Sequence, residues 1–210
     1  MKNKSVVNVV IRKLWNFPRK LRYWFYTKFN RLYFIIQGVE IGSNFSVYNR
    51  VDLFVNRNAK MKIGNNFLFI SGESYNPLAR NIRGCICINE NGYLSIGDNV
   101  IIASSSIRVY KSIIIGNHVK IGGDCILLDS DSHSLNYIER RISETDLAHK
   151  KDKEIVIGDD VLIGTRCIIL KGVHIGARSI IGSGSIVTKD IPADCIAAGN
   201  PCKVLKYINQ

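Results

Sequence analysis

Between Ile157 and Pro192 the apolar positions recur every six residues. Ile157, Ile163, Ile169, Ile175, Ile181 and Val187 each head a hexad, and Val161, Cys167, Val173, Ser179, Ser185 and Ile191 follow four places later. A period of six fits neither the 3.6 residues of a helical turn nor the alternation of a strand exposed on one face. It is the period of a parallel β-helix, in which each hexad is one short strand and its corner and three hexads close a triangular coil. The aliphatic head points inward, stacked coils align the heads into ladders, and the small or branched fifth residue fills a second inward slot. Glycines directly after many heads, as at Gly158 and Gly164, permit the corners.

The same pattern begins at Ile41-Gly42 and Val47 and loosens through Leu53, Ile63-Gly64 and Phe69. It breaks over residues 72–84 around Pro77, returns at Ile96-Gly97 and Ile102, slips by one residue, and resumes at Ile115-Gly116, Ile121-Gly122 and Leu127. The chain therefore reads as an all-β solenoid over residues 38–193, with about eight coils expected. A second interruption, at about 132–154, is polar and carries Arg140, Arg141, His149, Lys150 and Lys151. A long aperiodic loop inside a compact solenoid points to function. Residues 194–210 are expected to cap the open end.

Upstream, residues 1–37 read as a helical segment. Pro18 marks a helix start, from which Leu21, Phe25, Phe29, Leu32 and Ile36 fall on one stripe. That stripe suits packing on the end of the solenoid or on a neighbouring subunit. Residues 12–36 also hold nine of the 19 aromatic residues and seven Lys or Arg. Trp15, Tyr23, Trp24 and Tyr26 among cations suit peripheral contact with an anionic membrane as well. No recognised nucleic-acid module accompanies them, and nucleic acid is not expected as a partner.

Composition sharpens this picture in three respects. With 210 residues, 46% of them hydrophobic, the chain can bury one sizeable core. Its net charge of +12 is concentrated upstream: residues 1–37 hold nine Lys or Arg and no acid, leaving 20 basic against 17 acidic residues beyond them. The longest apolar run is the five residues Leu32–Ile36, far short of the roughly 20 needed for a membrane span. No secretory signal is evident, so a cytoplasmic location is expected. Of the six cysteines, Cys125 and Cys167 occupy fifth places of hexads and read as small core residues in a reducing compartment. Cys85 and Cys87 lack a second ligand pair, and no metal site is expected.

Four histidines are candidates for chemistry. His118 and His174 fall at outward places of their hexads, and His149 lies in the second loop. His133 sits where the ladder breaks into that loop, with Asp129 four and Asp131 two residues before it. By spacing alone, such a His is structural more often than catalytic.

The hexad run, together with Asp129-Ser-Asp131-Ser-His133-Ser134, resembles the left-handed hexapeptide-repeat acyltransferases over residues 39–205. It is closest to the bacterial polysaccharide O-acetyltransferases, since the galactoside type has Pro after its His. The resemblance implies a left-handed coil, a homotrimer with sites between subunits, and transfer of acetyl from acetyl-CoA to a carbohydrate hydroxyl in capsule, exopolysaccharide or O-antigen synthesis. In it His133 is the general base, and Asp131, or else Asp129, holds the other ring nitrogen. It also implies a coenzyme A groove in which Thr165 and Ser183 border the pantetheine arm, Thr188 and Lys189 lie near its far end, and Lys203 and Lys206 meet the nucleotide phosphates. Leu162 stands where many relatives have Trp. Two other readings remain, a non-catalytic solenoid that docks at a membrane and an acetyltransferase for a small non-sugar acceptor. Metal hydrolysis on such a scaffold would need three His at fixed spacing, and His133 stands alone.

Overall fold

A computed structural model describes the backbone of residues 2–72 and 82–208, with their side chains except those of 2–7, 10–16 and 19. Pro77 and the Trp15 side chain lie outside what is described. The strands wind in three-strand turns. The first three turns are β1–β3 (Glu40–Ile41, Ser46–Tyr48, Asp52–Val55), β4–β6 (Lys60–Ile63, Leu68–Ile70, Cys85–Ile88) and β7–β9 (Tyr93–Ile96, Ile101–Ala103, Ser106–Val109). The next three are β10–β12 (Ser112–Ile115, Lys120–Ile121, Ile126–Leu128), β13–β15 (Ile155–Ile157, Leu162–Ile163, Ile168–Leu170) and β16–β18 (His174–Ile175, Ile180–Ile181, Ile186–Val187). First, second and third strands of successive turns pair in parallel into three separate sheets, which makes the chain a parallel β-helix.

The register follows the sequence period. In the second sheet Val47, Phe69, Ile102, Ile121, Ile163, Ile181 and Ala197 are paired in one column, and every one of them is buried. The heads Ile157 and Ile175 lie in the first sheet's ladder, and Ile169 and Val187 in the third's. The fifth-place residues Val161, Cys167, Val173, Ser179 and Ser185 are buried too, as is Cys125. Ser179 satisfies its hydroxyl on the Pro192 carbonyl at 2.7 Å. At the corner after the first sheet the turns approach so closely that a Cβ on Gly64 would sit 2.7 Å from the Gly97 carbonyl carbon. Among the described residues six complete turns are present rather than about eight. The residues between β5 and β6 and those over 129–154 together equal the length of about two further coils of roughly 18 residues.

Two different devices close the ends. After Ile191 bridges Ile175, β19 (Cys195–Gly199) joins β17 in parallel, and β20 (Cys202–Tyr207) folds back on β19 antiparallel. At the other end lies helix α1 (Lys2–Ile36). The expected start at Pro18 is corrected, since α1 runs through it; Pro18 is exposed, where water can meet the backbone group that proline leaves unbonded.

The face of α1 that packs also differs from the expected stripe. Leu21, Leu32 and Ile36 point outward, with Ile36 70% exposed, and Phe25 and Phe29 line an open groove beside Val51, Leu53 and Phe54, whereas Tyr23, Asn30 and Phe34 are buried against the first turn. Phe34 meets Phe45 edge-on at 5.0 Å between ring centres. Asn30 Nδ2 donates to the carbonyls of Val47 (3.0 Å) and Asn49 (2.8 Å), and the Tyr33 hydroxyl donates to Leu53 O at 2.9 Å. The first turn is an edge whose carbonyls have no strand above them. Polar Asn30 and Tyr33 therefore face inward, and the largest apolar side chains do not.

Candidate functional site

After β12 the chain departs over residues 129–154 and returns at the same corner. Its two stems are zipped together: Asp131 N–H donates to Lys151 O at 3.1 Å, Ser130 and Asp152 form an antiparallel bridge, and Lys153 N–H donates to Asp129 O at 2.8 Å. Asp129 is fully buried beneath them. Its carboxylate accepts the backbone N–H groups of Tyr110 (2.7 Å), Lys111 (2.8 Å) and Ser112 (2.7 Å), at the corner one turn earlier. Burial raises its pKa above the ordinary carboxylate value, although these donors oppose the shift.

Within the excursion a single 3-10 turn (Glu139–Arg141) leads into helix α2 (Ser143–His149). Asp146 of α2 faces back toward the loop's mouth. Its Oδ2 lies 2.6 Å from His133 Nδ1, and its Oδ1 accepts the Ser134 N–H at 2.7 Å. The His133 ring and the Ser134 N–H hold the Asp146 carboxyl below the usual carboxylate range. A carboxylate can only accept, so the Nδ1 proton of His133 is directed to Asp146 and Nε2 is left as the acceptor. The imidazole is 66% exposed while the Asp146 side chain is only 11% exposed. This is the arrangement of a proton acceptor offered to a ligand and fixed from behind.

Asp146 replaces Asp131 and Asp129 as the partner of His133. Asp131 Oδ2 instead lies 3.2 Å from Lys171 Nζ, an ion pair that ties the stem to the corner after β15, and Asp129 is committed to its three donors. Around the dyad, Arg140 donates to Ser134 O at 2.7 Å, the Ser134 hydroxyl bonds Glu139, and Glu139 Oε1 sits 3.2 Å from His149 Nδ1. A cavity of about 490 Å³ lies in this loop, lined by Ser134, Asn136, Glu139, His149 and Lys150 among others but not by His133 or Asp146. Asp146 and Glu139 were missed by sequence reasoning, and His149 was placed in the loop without a role. Only the acidic and basic content of an aperiodic loop hinted at them.

The residues expected at a coenzyme A groove fall into three places. Thr165 and Ser183 occupy one corner in successive turns, with the Gly184 N–H donating to Thr165 O at 2.8 Å. Thr188 and Lys189 follow β18, and the register Ile168↔Ile186 and Ile169↔Val187 sets them one turn beyond Leu170 and Lys171. They share the corner to which Lys171 ties the loop stem. Lys203 and Lys206 lie exposed on β20, opposite Ala198 and Ile196. Leu162 is exposed on the outer face of β14. One chain thus separates Thr165 and Ser183 from the corner near His133 by the width of the third sheet. Exposed His118 and His174 take no part.

Comparison with known proteins bears on this geometry. The bacterial transferase hexapeptide (six repeats) matches residues 154–189. The galactoside O-acetyltransferase of Escherichia coli (strain K12) is 36% identical over 124 residues, covering 56% of this chain and 59% of that protein. Its Lactococcus lactis namesake is 38% identical over 98 residues, 47% and 44% of the two chains. The chain thus spans about half the length of the curated relatives it matches. Among solved structures, a hexapeptide-repeat acetyltransferase from Vibrio cholerae complexed with acetyl coenzyme A is 36% identical, with a TM-score of 0.50 over 56% of this chain and 61% of that one. A galactoside acetyltransferase in complex with coenzyme A is 27% identical, with a TM-score of 0.51 over 85% and 70%. By the repeat over residues 154–189 and by fold, the chain is similar to these hexapeptide-repeat acetyltransferases.

Proposed function

We propose that this chain transfers acetyl from acetyl-CoA to a hydroxyl of a carbohydrate, in the assembly of a bacterial surface polysaccharide. The observation that carries the reading is the His133–Asp146 pair at 2.6 Å, set at the mouth of the loop with its ring open to solvent. His133 Nε2 takes the proton of the acceptor hydroxyl as its oxygen attacks the thioester carbonyl. The tetrahedral intermediate collapses, the carbon–sulfur bond breaks, and the imidazolium returns the proton to the coenzyme A thiolate. Backbone N–H groups hold the oxyanion. The Asp146 carboxylate stabilises the imidazolium and fixes its tautomer. Likeness to galactoside O-acetyltransferases and to an acetyltransferase complexed with acetyl-CoA supports both donor and acceptor class.

In this reading Thr165, Ser183, Thr188 and Lys189 border the donor, and Lys203 and Lys206 meet its phosphates as point charges. The separation of Thr165 and Ser183 from the corner near His133 within one chain supports a homotrimer in which the loop of one subunit faces the donor groove of the next. The enzyme works in the cytoplasm, with its N-terminal segment bringing it to the inner face of the membrane. The test is His133→Ala, followed by thiol release and by calorimetric binding of acetyl-CoA. Transfer is expected to fall by about 10²- to 10⁴-fold with donor affinity unchanged within a few fold. Residual turnover above about a tenth of the parent would exclude His133 as the base.

A further inference from the structure

Helix α1 has two apolar faces, and the solenoid uses one of them. Taking 3.6 residues per turn, Leu21 and Leu32 lie roughly opposite Asn30, the residue that plugs the first turn. Leu21 is 55% and Leu32 59% exposed, and Trp24 and Ile36 share their side of the helix, while Phe25 and Phe29 stand at its edge, where they also line a cavity of about 430 Å³ against Val51, Leu53 and Phe54. Exposed Lys20 and Arg31 run along one border of this face, Arg22 along the other, and Lys28 projects from within it. The segment contributes no carboxylate, as residues 1–37 carry nine cations and no Asp or Glu. No described helix is long and apolar enough to cross a membrane.

We infer that this outward face is a docking surface for an anionic lipid bilayer, with α1 lying in the interface and the solenoid held beneath it by Asn30, Tyr33 and Phe34. An aromatic and aliphatic face edged by cations matches acyl chains beneath anionic headgroups, and Lys28 can extend its ammonium to that level. Pairing of the same face with a second copy would set cations against cations, since neither partner brings an acid. The inference deepens the membrane placement proposed above and does not depend on acetyl transfer.

The test is flotation of the full chain with vesicles of neutral phosphatidylcholine or of phosphatidylcholine with about one third phosphatidylglycerol, in the absence of acetyl-CoA and acceptor. The parent is expected to float with anionic vesicles at low salt, to be released at high salt, and to ignore neutral ones. Leu21→Glu/Leu32→Glu should lower the bound fraction at least tenfold, and Lys20→Gln/Lys28→Gln/Arg31→Gln should abolish the preference for anionic lipid. Both variants should keep the melting temperature and the rate on a soluble acceptor. Failure of the parent to float overturns the inference, as does equal binding by the Leu→Glu pair. A change of oligomeric mass in that pair, without vesicle binding by the parent, assigns the face to a second copy. Loss of activity in His133→Ala with flotation intact separates this surface from the catalytic reading.

Discussion

Asp146→Asn is expected to damage the enzyme more than Asp146→Ala, and the reason lies in the two hydrogen bonds of the carboxylate. Oδ1 accepts the Ser134 N–H at 2.7 Å and Oδ2 meets His133 Nδ1 at 2.6 Å. An Asn keeps its single oxygen on the Ser134 N–H and turns its amide nitrogen toward His133. That NH₂ donates to Nδ1, drives the ring proton to Nε2, and leaves nothing to receive the hydroxyl proton. Restoring the useful tautomer requires flipping the amide, which abandons a buried N–H at about 1–3 kcal/mol, or roughly one to two decades in the competent fraction. The competent fraction also lacks the charged hydrogen bond to the imidazolium, worth about 1.5–3 kcal/mol, or another one to two decades. The product is a fall of about 10²- to 10⁴-fold in kcat. Alanine removes the hold but imposes no wrong tautomer, so its loss should stay near the lower end. The assay is single-turnover acetyl transfer, with KM for acetyl-CoA followed in parallel. An Asn variant within threefold of the parent, or consistently faster than the Ala variant, would refute the reasoning.

Removing both Lys203 and Lys206 should raise KM for acetyl-CoA several-fold with little change in kcat, an effect that high salt imitates in the parent; steady-state kinetics at two ionic strengths checks it. Asp129→Ala strands the buried N–H of Ser112 together with the partly buried ones of Tyr110 and Lys111 and should lower stability by at least about 1–3 kcal/mol, read by denaturant unfolding, with Asp129→Asn in between. The folded-state pKa of Asp146 lies below the unfolded value of about 3.9, so its contribution is present above that value and is lost as pH falls through the lowered pKa. Amide protection over 143–149, taken relative to the intrinsic exchange rate at each pH, should stay level from about pH 7 to 5 and fall only below about pH 4.

The solenoid was legible because its signal is repetitive. Each hexad head from Ile157 to Val187 is a paired, buried ladder position, and the period that revealed it also sets the register. The number of turns was not legible, because chain length does not distinguish residues wound into coils from residues spent in excursions. The orientation of α1 was misread for a physical reason: a hydrophobic stripe reports which side chains avoid water, whereas the first turn needed hydrogen-bond donors for Val47, Asn49 and Leu53. His133 was legible as a candidate from its place at the break. Its partner was not, since Asp146 lies 13 residues further on, brought back by a short helix with no periodic context. Asp129 and Asp131 were the nearer carboxylates in sequence, and both are occupied with closing the stem.

That closed stem has an evolutionary consequence. Residues 129–131 and 151–153 bond to one another, and the solenoid resumes at Ile155 in register with Ile113. Everything between the stems can therefore be lengthened, shortened or exchanged as a cassette without breaking a single ladder. The cassette would carry the base His133, its partner Asp146 and the cavity walls, while the donor positions stay on the regular coils. A lineage built this way can change the sugar it modifies by grafting one segment, with its acyl donor inherited intact. Replacing residues 132–150 with the corresponding loop of a relative should transfer acceptor preference and leave KM for acetyl-CoA where it was.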